Sequence, residues 1–106
     1  MERRGGPWTF LSNHSHVLIA LAKDPTLRVR DLAAAVGITE RAVANILADL
    51  EEAGVLFRER SGRRNVYTID DDVPLRHSVE SHRKVRDILQ LAEVSPAMKR
   101  SKATGK

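Results

Sequence analysis

Three observations predict a mainly α fold with a small β component (α+β). The stretch from 39 to 56, TERAVANILADLEEAGVL, carries Val43, Ile46, Leu47, Leu50 and Ala53 at helical spacing, with one buried stripe. Ahead of it, RDLAAAVG reads as a shorter helix closed by Gly37. Behind it the apolar period changes from 3.6 to 2 over VLFRER and NVYTI, two strand-like runs joined by a glycine-containing turn. Helix, tight turn, helix and hairpin, in that order, describe a winged helix-turn-helix with a two-stranded wing, and a C-terminal dimerisation helix completes the expected architecture.

Composition narrows the function classes. At 106 residues the chain holds one domain with a modest core. Its formal charge of +4 and pI near 10.0 rest on an excess of arginine, which favours an anionic partner, either nucleic acid or a membrane surface. No apolar run approaches a bilayer span and no secretory signal opens the sequence, so a soluble cytoplasmic protein is expected. With no cysteine there is no disulfide framework, thiolate metal site or cysteine nucleophile.

The expected organisation is an N-terminal arm (1–11), a winged helix-turn-helix domain (12–75), a C-terminal helix (76–93) and a disordered basic tail (94–106). Trp8, Phe10 and Leu11 form either a core edge, the reading favoured for each residue singly, or an apolar patch through which two copies pair. Ser12 or Asn13 caps a helix through HSHVLIALAKD that buries Val17, Leu18 and Leu21 and ends at Asp24-Pro25. Leu27 to Val29 alternates like a very short strand. A helix over Arg30–Val36 follows, in which Ala33, Ala34 and Ala35 are small enough for helices to cross closely.

Thr39 caps the long helix, Glu40 suits its positive dipole end, and Gly54 stops it. Strands are expected over Val55–Arg60 and Asn65–Ile69, with Leu56, Tyr67 and Ile69 facing inward. Ser78–Ala92 reads as a last helix with Val79, His82, Val85, Ile88, Leu89 and Ala92 on one stripe and Glu80–Lys84 as an i,i+4 pair. That stripe needs a partner, either the first helix of the same chain or a second copy.

Glu40, Arg41, Ala44 and Asn45 lie opposite the buried stripe in the first two turns of the 39–53 helix. Arginine can contact guanine bidentately and asparagine adenine, so this face suits a recognition helix in the major groove. Arg58, Arg60, Arg63 and Arg64 cluster on the wing, where neutralising phosphates needs only approximate placement. Thr39 and Asn65 complete the candidate DNA-contacting set. The histidine pairs, His14 with His16 and His77 with His82, lack the i,i+4 spacing of a helical zinc site. No metal or other cofactor is expected. No catalytic set and no evident substrate pocket emerge, so an enzyme is not expected.

DLAAAVGITERAVANILADLEEAGVL together with RERSGRRNVYTI resembles the winged helix-turn-helix repressors of the MarR and ArsR type, over roughly residues 16–70. The resemblance implies base contacts from Glu40, Arg41, Ala44 and Asn45, and phosphate or minor-groove contacts from the wing arginines. It also implies a homodimer built from the first and last helices. Such a dimer would set two recognition helices in successive major grooves about 34–36 Å apart. The competing expectation is a winged-helix module for protein–protein assembly, toward which Phe57 points.

Overall fold

The computed structural model describes residues 8–93; the expected basic tail and the first seven residues of the arm lie outside this range. The element order is α1 (Asn13–Lys23), α2 (Val29–Val36), α3 (Glu40–Glu52), β1 (Leu56–Ser61), β2 (Arg64–Ile69) and α4 (Val85–Leu91). One core joins them. Val17 and Leu21 of α1, Leu32 of α2, Val43 of α3, Leu56 and Ile69 of the hairpin and Leu89 of α4 are almost fully buried in it.

Each helix boundary has a local cause. The Ser12 hydroxyl accepts from the Ser15 N–H and opens α1, which ends ahead of Pro25. The α2 helix begins one residue earlier than expected, because the Asp31 carboxylate accepts from the Arg28 N–H at 3.0 Å and caps it there. Gly37, at φ +84°, takes the left-handed turn that reverses the chain into α3. Ile38 packs beneath that turn, and the Thr39 hydroxyl accepts from the Ala42 N–H at 3.0 Å.

The hairpin is antiparallel, pairing Leu56 with Ile69, Arg58 with Tyr67 and Arg60 with Asn65. Its strands run to Ser61 and from Arg64, so the connection has two residues, Gly62 and Arg63. Positive φ falls on Gly62 alone, as a turn of the II′ class requires. Leu56, Tyr67 and Ile69 face the core as expected.

Several expectations are corrected. Leu27–Val29 forms no strand; instead the Tyr67 N–H donates to the Pro25 carbonyl at 3.0 Å, a single ladder-like bond to the α1–α2 connection. Of the three alanines assigned to the helix crossing, Ala33 is buried while Ala34 and Ala35 face solvent.

The last helix is much shorter than the 78–92 stripe implied. Residues 77–83 form turns, with Glu80 N–H bonded to the His77 carbonyl and Arg83 N–H to the Glu80 carbonyl. The chain then returns beside the segment after β2, where Leu75 N–H bonds the Arg83 carbonyl and Val85 N–H the Val73 carbonyl. Lys84 pairs with Asp72 at 2.7 Å and not with Glu80. Asp87 caps α4 by accepting from the Lys84 N–H at 2.8 Å. Val79 is 76% exposed, so apolar burial does not reward a helix there. Tertiary pairing overrides the periodicity.

Candidate nucleic-acid interface

The N-terminal half of α3 offers an open face. Glu40, Arg41, Ala44 and Asn45 are all exposed, while Val43, Ile46, Leu47 and Leu50 fill the core. Among the described residues no ion pair or side-chain hydrogen bond engages Arg41 or Asn45. The helix changes character toward its C-terminus, where Asp49, Glu51 and Glu52 succeed one another. Asp49 bonds His14 of α1 at 2.9 Å, and Glu51 pairs with Arg58 of β1 at 3.5 Å. The C-terminal end of α3 is thus acidic, with Asp49 and Glu51 engaged by their own domain.

The five wing positions are not equivalent. Arg63 sits exposed at the tip, in the turn. Arg60 is also exposed, with its Nε donating to the Gly62 carbonyl at 3.4 Å. Arg64 reaches back to the α1–α2 connection and donates to the Thr26 carbonyl at 2.6 Å. Arg58 lies at the foot of the wing, paired with Glu51 and facing Tyr67 across the ladder. Asn65 is half-buried beside the same tyrosine. Burial pushes the Tyr67 phenol above its ordinary pKa, with the Arg58 guanidinium acting in the opposite sense.

Arg28 and Arg30, at the start of α2, are exposed cations missing from the set read from sequence. Their signal lies in RVRD, where alternation and a helix start both compete with a basic patch. Arg28 is partly occupied by Asp31, at 3.2 Å from its Nε.

The residues assigned to pairing of two copies separate into two groups. Val85 and Leu89 are buried in the core of their own chain, which settles the partner of that stripe as α1 and the rest of the domain. Ile88 and Ala92 are half-buried and His82 is exposed. Trp8 and Phe10 stand outside the core, 65% and 91% exposed, and meet edge-to-face at 4.9 Å. Leu11 is half-buried, and Leu91, absent from the expected set, is 74% exposed.

Several open clefts border α1, where none was evident from sequence, and two of them reach α4. One of about 590 Å³ runs between Phe10, Leu11, Leu75, Ile88 and Leu91. The other, about 430 Å³, has Leu18, Leu50, Val85 and Ile88 in its walls and the His14–Asp49 pair among its lining residues. Among the described residues no three histidine, cysteine or acidic side chains gather as metal ligands. His16 bonds Asn13 and His77 accepts from the Val79 N–H.

Three helices with α3 solvent-facing at its N-terminal half, followed by an arginine-bearing antiparallel hairpin, define a winged-helix protein. Residues 9–64 match the MarR family model, and the chain belongs to that family. Among solved structures it is similar to the AntR antimony-specific transcriptional repressor, at 35% identity and TM-score 0.51, over 74% of this chain and 60% of that one. The PcaV transcriptional regulator from Streptomyces coelicolor, in complex with its natural ligand, is 26% identical with TM-score 0.52, over 77% of this chain and 60% of that one. MepR, a transcription regulator of the Staphylococcus aureus multidrug efflux pump MepA, shares the fold at 20% identity and TM-score 0.51, over 74% of this chain and 52% of its own. The chain spans about three fifths of the length of AntR and PcaV. Comparison with curated protein sequences gives no significant match.

Proposed function

We propose that this protein is a sequence-specific double-stranded DNA-binding transcriptional regulator, acting as a homodimeric repressor in the cytoplasm. The observation that carries the reading is the open face of Glu40, Arg41, Ala44 and Asn45 on a helix whose other side is locked into the core. That face enters the major groove, where Arg41 reads guanine and Asn45 adenine. Thr39 fixes the helix start, and the helix N-terminus itself favours the phosphate beside it. Arg60 and Arg63 contact phosphates or the minor groove, with Arg28 and Arg30 as further backbone contacts. Repression follows from occupancy of promoter DNA.

Two copies pair through the apolar surface around Trp8, Phe10, Leu11, Ile88 and Leu91. The exposure of Trp8, Phe10 and Leu91, with Leu11 and Ile88 half-buried beside them, supports this, since an exposed apolar patch marks an interaction surface. Among the described residues no helix is long and apolar enough to cross a membrane.

The assembly-module reading predicts an apolar surface on α3 and the wing. Those surfaces carry Arg41, Asn45, Arg60 and Arg63, and Phe57 is half-buried. The test is selection of bound fragments from random duplex, followed by titration of the selected site against a scrambled one. Tight, salt-sensitive binding that prefers the selected site is expected. Equal, weak binding to both at low salt would leave the assembly reading standing in its place.

A further inference from the structure

At the foot of the wing, one carboxylate has a buried oxygen while the rest of its side chain stays partly exposed. Glu51 Oε2, on the last turn of α3, is buried and accepts no hydrogen bond. Its cationic neighbour is Arg58 Nε, 3.5 Å away on β1. Arg58 shares its face of the hairpin with Leu56 on its own strand and Tyr67 opposite, both buried against the body of the domain. Side chains alternate along a strand, so Arg58 starts from the face that Leu56 turns inward, but that face opens to solvent beyond Leu56 and leaves Arg58 53% exposed. The Arg63 side chain, at the tip, has no such partner among the described residues.

One oxygen of that carboxylate is shielded from water and its cation is Arg58, while the two side chains are 30% and 53% exposed, so the pair links α3 to β1 with the modest strength of a partly exposed ion pair. The two residues also belong to the two elements that must meet DNA at a fixed angle, the recognition helix and the wing.

We infer that Glu51 is a positioning residue for the wing, acting through Arg58, and that Arg58 serves as a strut between α3 and β1 and is not a phosphate ligand. The inference rests on the DNA-binding reading above and takes Arg58 out of the phosphate contacts expected from the sequence. It divides the wing arginines by role. Arg58 sets the angle, Arg64 anchors the hairpin to the α1–α2 connection, and Arg63 meets the phosphates.

The experiment uses the full chain and a selected duplex, with binding titrated against KCl for Glu51→Gln, Arg58→Gln, the double variant and Arg63→Gln. Glu51→Gln and Arg58→Gln should each weaken binding by about two- to tenfold, the scale of a partly exposed ion pair and its consequences. The double variant should be no weaker than either single one, because both remove the same interaction. Neither should change the slope of log K against log salt, whereas Arg63→Gln should reduce its magnitude by about 0.9. A slope loss for Arg58→Gln equal to that of Arg63→Gln, or losses that multiply in the double variant, would overturn the inference. Amide hydrogen exchange on the free protein supplies a second readout that needs no DNA. Glu51→Gln should speed exchange along β1 and β2, and unchanged exchange overturns the positioning role. Failure of the wild-type chain to bind any duplex would count against the functional reading alone, with the exchange result still deciding the role of Glu51.

Discussion

The Arg64 guanidinium donates a 2.6 Å hydrogen bond to the Thr26 carbonyl, joining positions 38 residues apart. With the Tyr67 N–H bonded to the Pro25 carbonyl, this bond ties the outgoing strand of the wing to the loop that launches α2. Two adjacent arginines, 63 and 64, therefore have different work. A variant at each should separate binding from stability.

Arg64→Ala should lower stability by about 0.5–1.5 kcal/mol, the net worth of such a bond. Arg63→Ala should change stability by no more than about 0.5 kcal/mol, as an exposed turn residue. In DNA binding the order reverses, with Arg63→Ala giving the larger loss of salt dependence, about 0.9 in slope. Urea unfolding and a salt titration of both variants check this. Equal effects on stability from both would refute the division.

Arg41→Ala should cost about 1–3 kcal/mol of discrimination between the selected site and one with its guanine replaced, with little change toward random duplex. Competition binding measures it. Uniform weakening across all sequences would make Arg41 a phosphate contact.

Leu89→Ala should destabilise the chain by about 2–5 kcal/mol, since the side chain is 1% exposed within the core. Val79→Ser, on the turn before α4, should stay within about 0.5 kcal/mol. Chemical denaturation of the two shows whether α4 belongs to the core while residues 77–83 do not. A destabilising Val79→Ser would mean that the extended helix forms in solution.

The pH dependence of stability follows from three aspartates with lowered pKa values. Asp72 is held down chiefly by the hydrogen bond from Lys84, with Arg86 contributing; Asp31 by the Arg28 backbone N–H; and Asp24 by the Thr26 hydroxyl. A carboxyl with a folded pKa below its unfolded value of 3.8 stabilises the fold above that value. The contribution is lost as pH falls through the folded value. The urea midpoint should therefore drop on acidification below about pH 4, and Asp72→Asn should make that drop shallower. A wild-type midpoint flat down to pH 2 would contradict this.

Where local signals coincide, sequence and structure agree. Ser12, Thr39, Gly37 and Gly54 mark the helix ends, and each acts through backbone groups one to four residues away. The inward positions of α1, α3 and the hairpin were legible from period alone, and so was the open face of Glu40 to Asn45. Failures occur where a long-range contact competes with a local one. Ser78 to Lys84 carries a helical stripe, yet the Val73–Val85 and Leu75–Arg83 backbone bonds and the Lys84–Asp72 pair draw it into turns. The inward set that starts at Val85 survived because Leu89 has a core to enter.

The amino-acid order alone determined the order of the first three helices and the hairpin, the buried stripe and the chemical kind of the exposed one, because caps, glycines and periodicity act over a single turn. Only the tertiary structure decided which arginine does what. Arg58, Arg63 and Arg64 are alike in a string of letters. They part company when one meets Glu51, another meets Thr26 and the third is left at the tip, since a charge takes its role from the groups that surround it in space.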